Sequence, residues 1–202
     1  MWLMPAHGGR QRCRRRQWHG VSMVEVLVAI VISAIALLAL AGVNAAALRY
    51  TKMSQYRATA TQLANDMGER LRANKGGAAL GAVAATGFLA GDYDFTTDLA
   101  GQAQRASLPL QQCDTAASNC TPAEIAALDL AQWRRLVRDQ LPEGSVFLLR
   151  QADQSAMDLW LAWRDPAVAA SDEAPALALE CPDGLNRGGD TSVRCSYFRI
   201  NL

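Results

Sequence analysis

From Val26 to Leu48 the chain runs 23 residues without a charged side chain, VLVAIVISAIALLALAGVNAAAL, and only Ser33 and Asn44 are clearly polar. As a helix this stretch is about 34 Å long, enough to cross a hydrocarbon layer of about 30 Å. It is a membrane-spanning candidate, and its flanks set a direction. Arg10, Arg12, Arg14, Arg15 and Arg16 precede it, whereas only Arg49 and Lys52 follow closely. The basic side is expected to stay in the cytoplasm while the remainder crosses. A cleaved secretory signal is the competing reading, with Ala45-Ala46-Ala47 as its cleavage site. Its apolar region is normally about 7–15 residues, shorter than this run.

Charge divides the chain in the same place. Residues 1–20 hold five arginines and no acid, and residues 21–202 hold 15 Lys+Arg against 19 Asp+Glu. An acidic remainder argues against a broad nucleic-acid surface, which needs many phosphate-neutralising cations. Both histidines, His7 and His19, lie in the basic head. Downstream of residue 20, therefore, the residue types for Ser-His-Asp or Cys-His catalysis or for a His-containing zinc site are missing. No close carboxylate pair stands out either. The expectation is a non-enzymatic protein without a cofactor.

Glu25 is the anomaly at the edge of the apolar run. A carboxylate at depth in a bilayer costs about 2.5–3.5 kcal/mol on insertion scales and points to a function with a partner. A cut between Gly20 and Val21 would supply one, because Val21 would then carry a free α-amine. Positions one and five share a helix face, so Glu25 can meet its own amine or that of a staggered neighbour. In apolar surroundings such a pair fixes register, since a mis-staggered helix leaves both charges unpaired.

The string Gly20-Val21-Ser22-Met23-Val24-Glu25-Val26-Leu27-Val28-Ala29 resembles the prepilin signature of type IV pilins and secretion pseudopilins. The resemblance implies that a prepilin peptidase cuts after Gly20, that Val21 is then N-methylated, and that Glu25 supports docking during assembly. The chain departs from the family in having Val21 where Phe is usual. Also implied are a precursor with one pass through the inner membrane and a periplasmic body, later drawn into a filament or its tip. The implied partners are the prepilin peptidase, other minor pilins and the major pilin, and the inner-membrane assembly machinery.

Beyond the apolar run, Tyr56, Ala60, Leu63, Met67 and Leu71 recur at steps of three and four, opposite Arg57, Gln62, Asn65, Asp66, Glu69 and Arg72. That spacing predicts one helix from about Ser22 to Ala73, ended by Asn74-Lys75-Gly76-Gly77. Gly42 is a candidate soft point in it. Residues 74–120 read as loop, pinned by Phe88, Tyr93, Phe95 and Leu99. Thr121-Pro122-Ala123-Glu124 then announces a helix with a capping box. Ile125, Leu128, Trp133, Leu136, Val137 and Leu141 follow at helical spacing until Pro142-Glu143-Gly144. Strands are expected at 145–150, 157–163, 177–179 and 193–200, the second and fourth alternating as if one face were buried and one solvated.

The expected fold is α+β, a long N-terminal membrane and stalk helix packed on an antiparallel sheet, as in type IV pilins. Its parts are a removable leader (1–20), a transmembrane and assembly segment (21–48) and an amphipathic stalk (49–75). A body (76–202) follows, comprising the loop 76–120, the helix 121–141 and the C-terminal strands. Within the body, Cys120-Thr121-Pro122, Asp129-Leu130, Trp133, Leu141-Pro142-Glu143-Gly144 and Val146 look like the PilV type of minor pilin. That resemblance implies a role in pilus assembly, at initiation or at the tip. A minor pseudopilin of type II secretion and a signal-anchored periplasmic binding module are the alternatives.

Of five cysteines, Cys13 belongs to the leader, leaving Cys113, Cys120, Cys181 and Cys195. In an exported domain four cysteines suggest two disulfides, with three possible connectivities. The local pairs 113–120 and 181–195 are favoured because each closes a short, turn-rich loop. The spacings do not fit the close cysteine pairs of zinc sites. Trp133, Trp160 and Trp163 are read as core or sheet-face residues. Asp183, Asn186 and Asp190, among Gly184, Gly188 and Gly189, are read as turn chemistry rather than a calcium loop.

Overall fold

The structure, a computed structural model, describes residues 20–77, 80, 83–153, 155–165 and 180–202. Residues 1–19 of the expected leader and the expected strand at 177–179 lie outside these residues. Two compact units divide the chain, one ending at Ala46 and one running from Ala47 to Leu202.

Helix α1 (Met23–Ala73) is continuous and contributes to both units. Its start is set by Ser22, whose hydroxyl accepts from the Glu25 N–H at 3.3 Å and so satisfies one of the orphan donors of the first turn. No proline interrupts it, and Gly42 does not end it. It stops where the sequence turns to Asn74 and glycines. Gly76 has φ +78°, and a Cβ there would lie 1.8 Å from the Thr86 carbonyl oxygen, so this turn excludes other residues.

The second unit is built on the last seven turns of α1. Ala60, Leu63, Ala64, Met67 and Leu71 form its buried stripe, with Tyr56 partly buried at the edge. Opposite them, Arg57, Gln62, Asn65, Glu69 and Arg72 are exposed. The stripe packs against α2 (Pro122–Gln140) and a three-stranded antiparallel sheet, β1 (Ser145–Arg150), β2 (Ala156–Arg164) and β3 (Val193–Asn201), in the order β1-β2-β3. The expected α+β layout is the one found.

Local chemistry explains each element. Thr121 accepts from the Glu124 N–H while the Glu124 carboxylate accepts from the Thr121 N–H, with Pro122 at the first position, so the capping box of α2 is complete. Trp133 is fully buried, and its indole N–H donates to the Leu63 carbonyl at 2.9 Å, tying α2 to α1. The α2-to-β1 turn places Glu143 at φ 52° and brings Gly144 so close to α2 that a Cβ would meet the Val137 carbonyl oxygen at 2.4 Å. Glycine is required there for backbone approach.

In one respect the sheet differs from expectation. Its central strand β2 is buried on both faces. Met157, Leu159, Leu161 and Trp163 face the helices, while a second apolar cluster on the other side joins Ala162 to Phe147, Leu185, Val193 and Cys195. The cover comes from irregular segments. Leu99 and the 3-10 turn Asp183–Leu185 lie on that face, joined by the Leu99 N–H to the Leu185 carbonyl at 2.8 Å. Alternation within the strand had suggested a solvated outer face because it carries no information about what a distant loop covers.

Two disulfides brace the unit, Cys113–Cys120 and Cys181–Cys195. The second joins the turn before Asp183 to β3. The long loop is irregular, with single 3-10 turns at Gly87–Ala90, Ala100–Gln102 and Ala116–Ser118. It is anchored by fully buried Phe88 and Tyr93 and by a bridge between Phe95 and Leu148 of β1.

Candidate assembly site

Through the first half of α1 the helix is apolar except at Glu25, Ser33 and Asn44, and among the described residues every side chain from 23 to 46 is exposed. None of its most apolar 18-residue stretch is buried. Leu38 is 74 % exposed, and Leu27, Ile30, Val31, Ile35 and Leu37 are comparable. Of its two uncharged polar side chains, Ser33 is turned inward on the helix itself and Asn44 is exposed. The Ser33 hydroxyl donates to the Ala29 carbonyl at 2.8 Å, which satisfies its proton within the helix. A helix of this kind is stable only when surrounded by lipid or by other helices. This is consistent with a single-pass membrane anchor.

The residues singled out at its N-terminus fall together. Val21, Glu25, Val26, Ala29, Ile30, Ser33, Ala34 and Leu37 line one shallow groove, so Val21, just before the helix, and Glu25, in its first turn, border the same groove. Glu25 sits in the first turn, where the helix dipole favours an anion. It is the one carboxylate between residues 20 and 65. Gly20 and Val21 precede the helix in exposed, non-helical backbone. A Cβ at Gly20 would find no atom within 4 Å, so a larger side chain there meets no obstacle from the chain's own structure. A requirement for glycine at this position would belong to whatever recognises the bond.

The body carries a second organised group, which sequence reading did not assemble. The Asp129 carboxylate accepts from Arg70 at 2.9 Å and from the Tyr93 hydroxyl at 2.8 Å. Asn74 donates to the Tyr93 oxygen at 3.1 Å and to the Pro122 carbonyl at 2.8 Å. Burial raises the Tyr93 pKa; the Asn74 bond opposes this and the Asp129 carboxylate adds to it. These four side chains come from α1, the loop and α2, and they clamp the end of the stalk. Several body residues singled out in the sequence have structural roles: Thr121 and Pro122 cap, Asp129 clamps, Trp133 packs, and Glu143 and Gly144 turn the chain.

Other residues considered from the sequence have evident partners. Asp190 accepts from the Ser192 N–H and hydroxyl and pairs with Arg164 at 2.8 Å. Its pKa is lowered first by the Ser192 hydroxyl. Asn186 takes a left-handed turn position at φ 45°. Trp160 lies on the outer sheet face between Phe147 and Tyr197, with ring centroids 5.9 and 4.9 Å away.

Comparison with known proteins adds no assignment: no family model, curated protein or solved structure matches this chain.

Proposed function

We propose that this chain is a minor pilin of the PilV type, a non-catalytic subunit made as a membrane precursor and drawn into a type IV pilus at initiation or at the tip. The observation that carries the reading is the asymmetry of α1. Its first half offers an exposed surface that is apolar except for Glu25, Ser33 and Asn44, with Glu25 its one charge, and its second half is the central helix of a disulfide-braced body.

In this reading the basic head holds residues 1–20 in the cytoplasm, and the prepilin peptidase removes it after Gly20. The new amine at Val21, N-methylated, is a cation at the helix end. In the filament the greasy halves bundle, and every apolar side chain that leaves lipid for a neighbouring helix gains packing rather than hydrophobic transfer. That makes stagger poorly determined by grease alone. Glu25 supplies the missing specificity, since a carboxylate in the bundle must find an amine, its own or the neighbour's, and only one stagger provides it. The body, held in the periplasm before assembly, would contact other minor pilins and the major pilin. Two disulfides suit that oxidising compartment.

A Gly20→Leu change should abolish processing while leaving the precursor in the membrane, because nothing in the chain's own structure crowds that position. Processing at the normal rate in this variant would contradict the reading. A minor pseudopilin would behave identically in that assay, and deletion of the pilus and secretion operons in turn, scoring recovery of the chain in sheared filaments, separates the two.

A further inference from the structure

Four arginines gather at one place on the body, in a stretch, 47–202, that otherwise has more acids than bases. Arg134, Arg135 and Arg138 stand within two turns of α2, and Arg105 reaches the same place from the loop. Among the described residues the only carboxylate that pairs with any of the four is Asp139, which holds Arg105. Arg135 donates to the Ala106 carbonyl at 2.7 Å and Arg138 to the Ala103 carbonyl at 2.8 Å. Both are thereby aimed, but neither is neutralised.

Arg134 is the unusual member. Its guanidinium carbon lies over the Phe95 ring, 4.0 Å from the centroid, and among the described residues no hydrogen bond or ion pair joins the Arg134 side chain to a neighbour. It is half-buried, and that burial lowers its pKa. A ring face attracts the charge of a guanidinium but supplies no oxygen for its fork of N–H donors. Arg138 stands one turn further on, and like charges four apart on a helix repel. A half-buried cation with an unused donor fork beside two more cations is an arrangement that gains from an anion.

Arg105, Arg134 and Arg138 line a single cleft together with Gln104 and Ser145, with a volume of about 10 Å³. That is room for about one water-sized centre, so the cleft takes the edge of a group and does not enclose a whole molecule. We propose that this cleft binds an oxyanion, a carboxylate or phosphate group, held by the Arg134 fork with Arg105 and Arg138 beside it. Bidentate pairing of guanidinium with an oxyanion is the geometry these donors are shaped for.

Two sources supply that chemistry, a free small oxyanion and an acidic side chain of another protein, and titration of the full chain in detergent micelles distinguishes them. The side-chain Nε–H signals of Arg105, Arg134 and Arg138 are followed by NMR at fixed ionic strength against inorganic phosphate and, separately, an acetylated triglutamate amide. The expected result is saturable movement of these signals with at least one probe. The half-saturation concentration should rise by about tenfold in Arg134→Gln and about threefold in Arg105→Gln. Saturation by phosphate identifies the free oxyanion, and saturation by the peptide alone identifies a partner's carboxylate. Arg105 is exposed at the rim, so its variant tests the site even if Arg134→Gln fails to fold. Absence of saturable movement with either probe, or binding at the original strength in Arg105→Gln and in any folded Arg134→Gln, would overturn the proposal.

Discussion

Residues 23–46 and 47–73 belong to one uninterrupted helix, yet they meet opposite surroundings. In the first stretch Leu38 and its neighbours are bare on every side, whereas in the second Met67 and Leu71 are completely buried and Arg57 and Glu69 lie in solvent. Backbone conformation is the same throughout, so the difference lies in the side chains. A helix with one apolar stripe can be completed by its own chain, through α2 and the sheet. A helix apolar all round cannot, since no body of this size would surround it, and its partners must come from outside. The boundary between them is where charge returns, at Arg49 and Lys52.

Several substitutions would break or sharpen this contrast. The largest effect is expected at Glu25. Glu25→Ala should leave processing near normal and reduce recovery in sheared filaments to the detection limit, measured by immunoblot against the membrane fraction. Recovery at the original level would show that stagger does not depend on the carboxylate. Next come paired truncations on the two halves. Leu63→Ala opens a cavity in the shared core and should destabilise the body by about 3 kcal/mol in denaturant unfolding. Leu38→Ala should change the same measurement by less than about 0.5 kcal/mol. Equal effects would mean that the first half is packed on the body after all.

The disulfide Cys181–Cys195 closes a loop across the outer sheet cluster, and replacing both cysteines by serine should cost about 3 kcal/mol. A smaller loss, about 1 kcal/mol, is expected for Trp133→Phe, which keeps the ring but removes the donor to the Leu63 carbonyl. The subtlest is a pH dependence. Because the Tyr93 phenol is held protonated in the folded state, its contribution is fully present below the ordinary tyrosine value of 10.0. It is lost as pH rises further, when the unfolded chain releases the proton and the folded chain keeps it. Stability measured between about pH 9 and 11 should fall more steeply in the parent than in Tyr93→Phe.

Features encoded by neighbours in sequence were readable in advance. The capping box at Thr121, the stripe from Tyr56 to Leu71 and the three described strands each depend on spacing within a few residues, and each was found within two residues of its expected limits. The local cysteine pairs are of the same kind. What could not be read depends on chain segments far apart. Asp129 meets Tyr93 across 36 positions and Arg70 across 59. The outer face of β2 is buried by Leu99 and Leu185, neither of which belongs to a periodic pattern. The arginine cluster is not legible in the sequence because Arg105 comes to α2 from a loop and because nothing local to Phe95 tells that Arg134 lies over its ring. At the N-terminus the string Gly20 to Glu25 is legible as it stands, and the structure adds that Val21 and Glu25 border one groove at the exposed end of α1.

The central claim is that the bare half of α1 is released from its basic head in order to pack with its like. Intact-mass measurement of the protein extracted from membranes of its native cell tests this most directly. The account predicts a chain beginning at Val21 and carrying one added methyl group. A chain that still holds residues 1–20, or one that begins near Ala47, would contradict it.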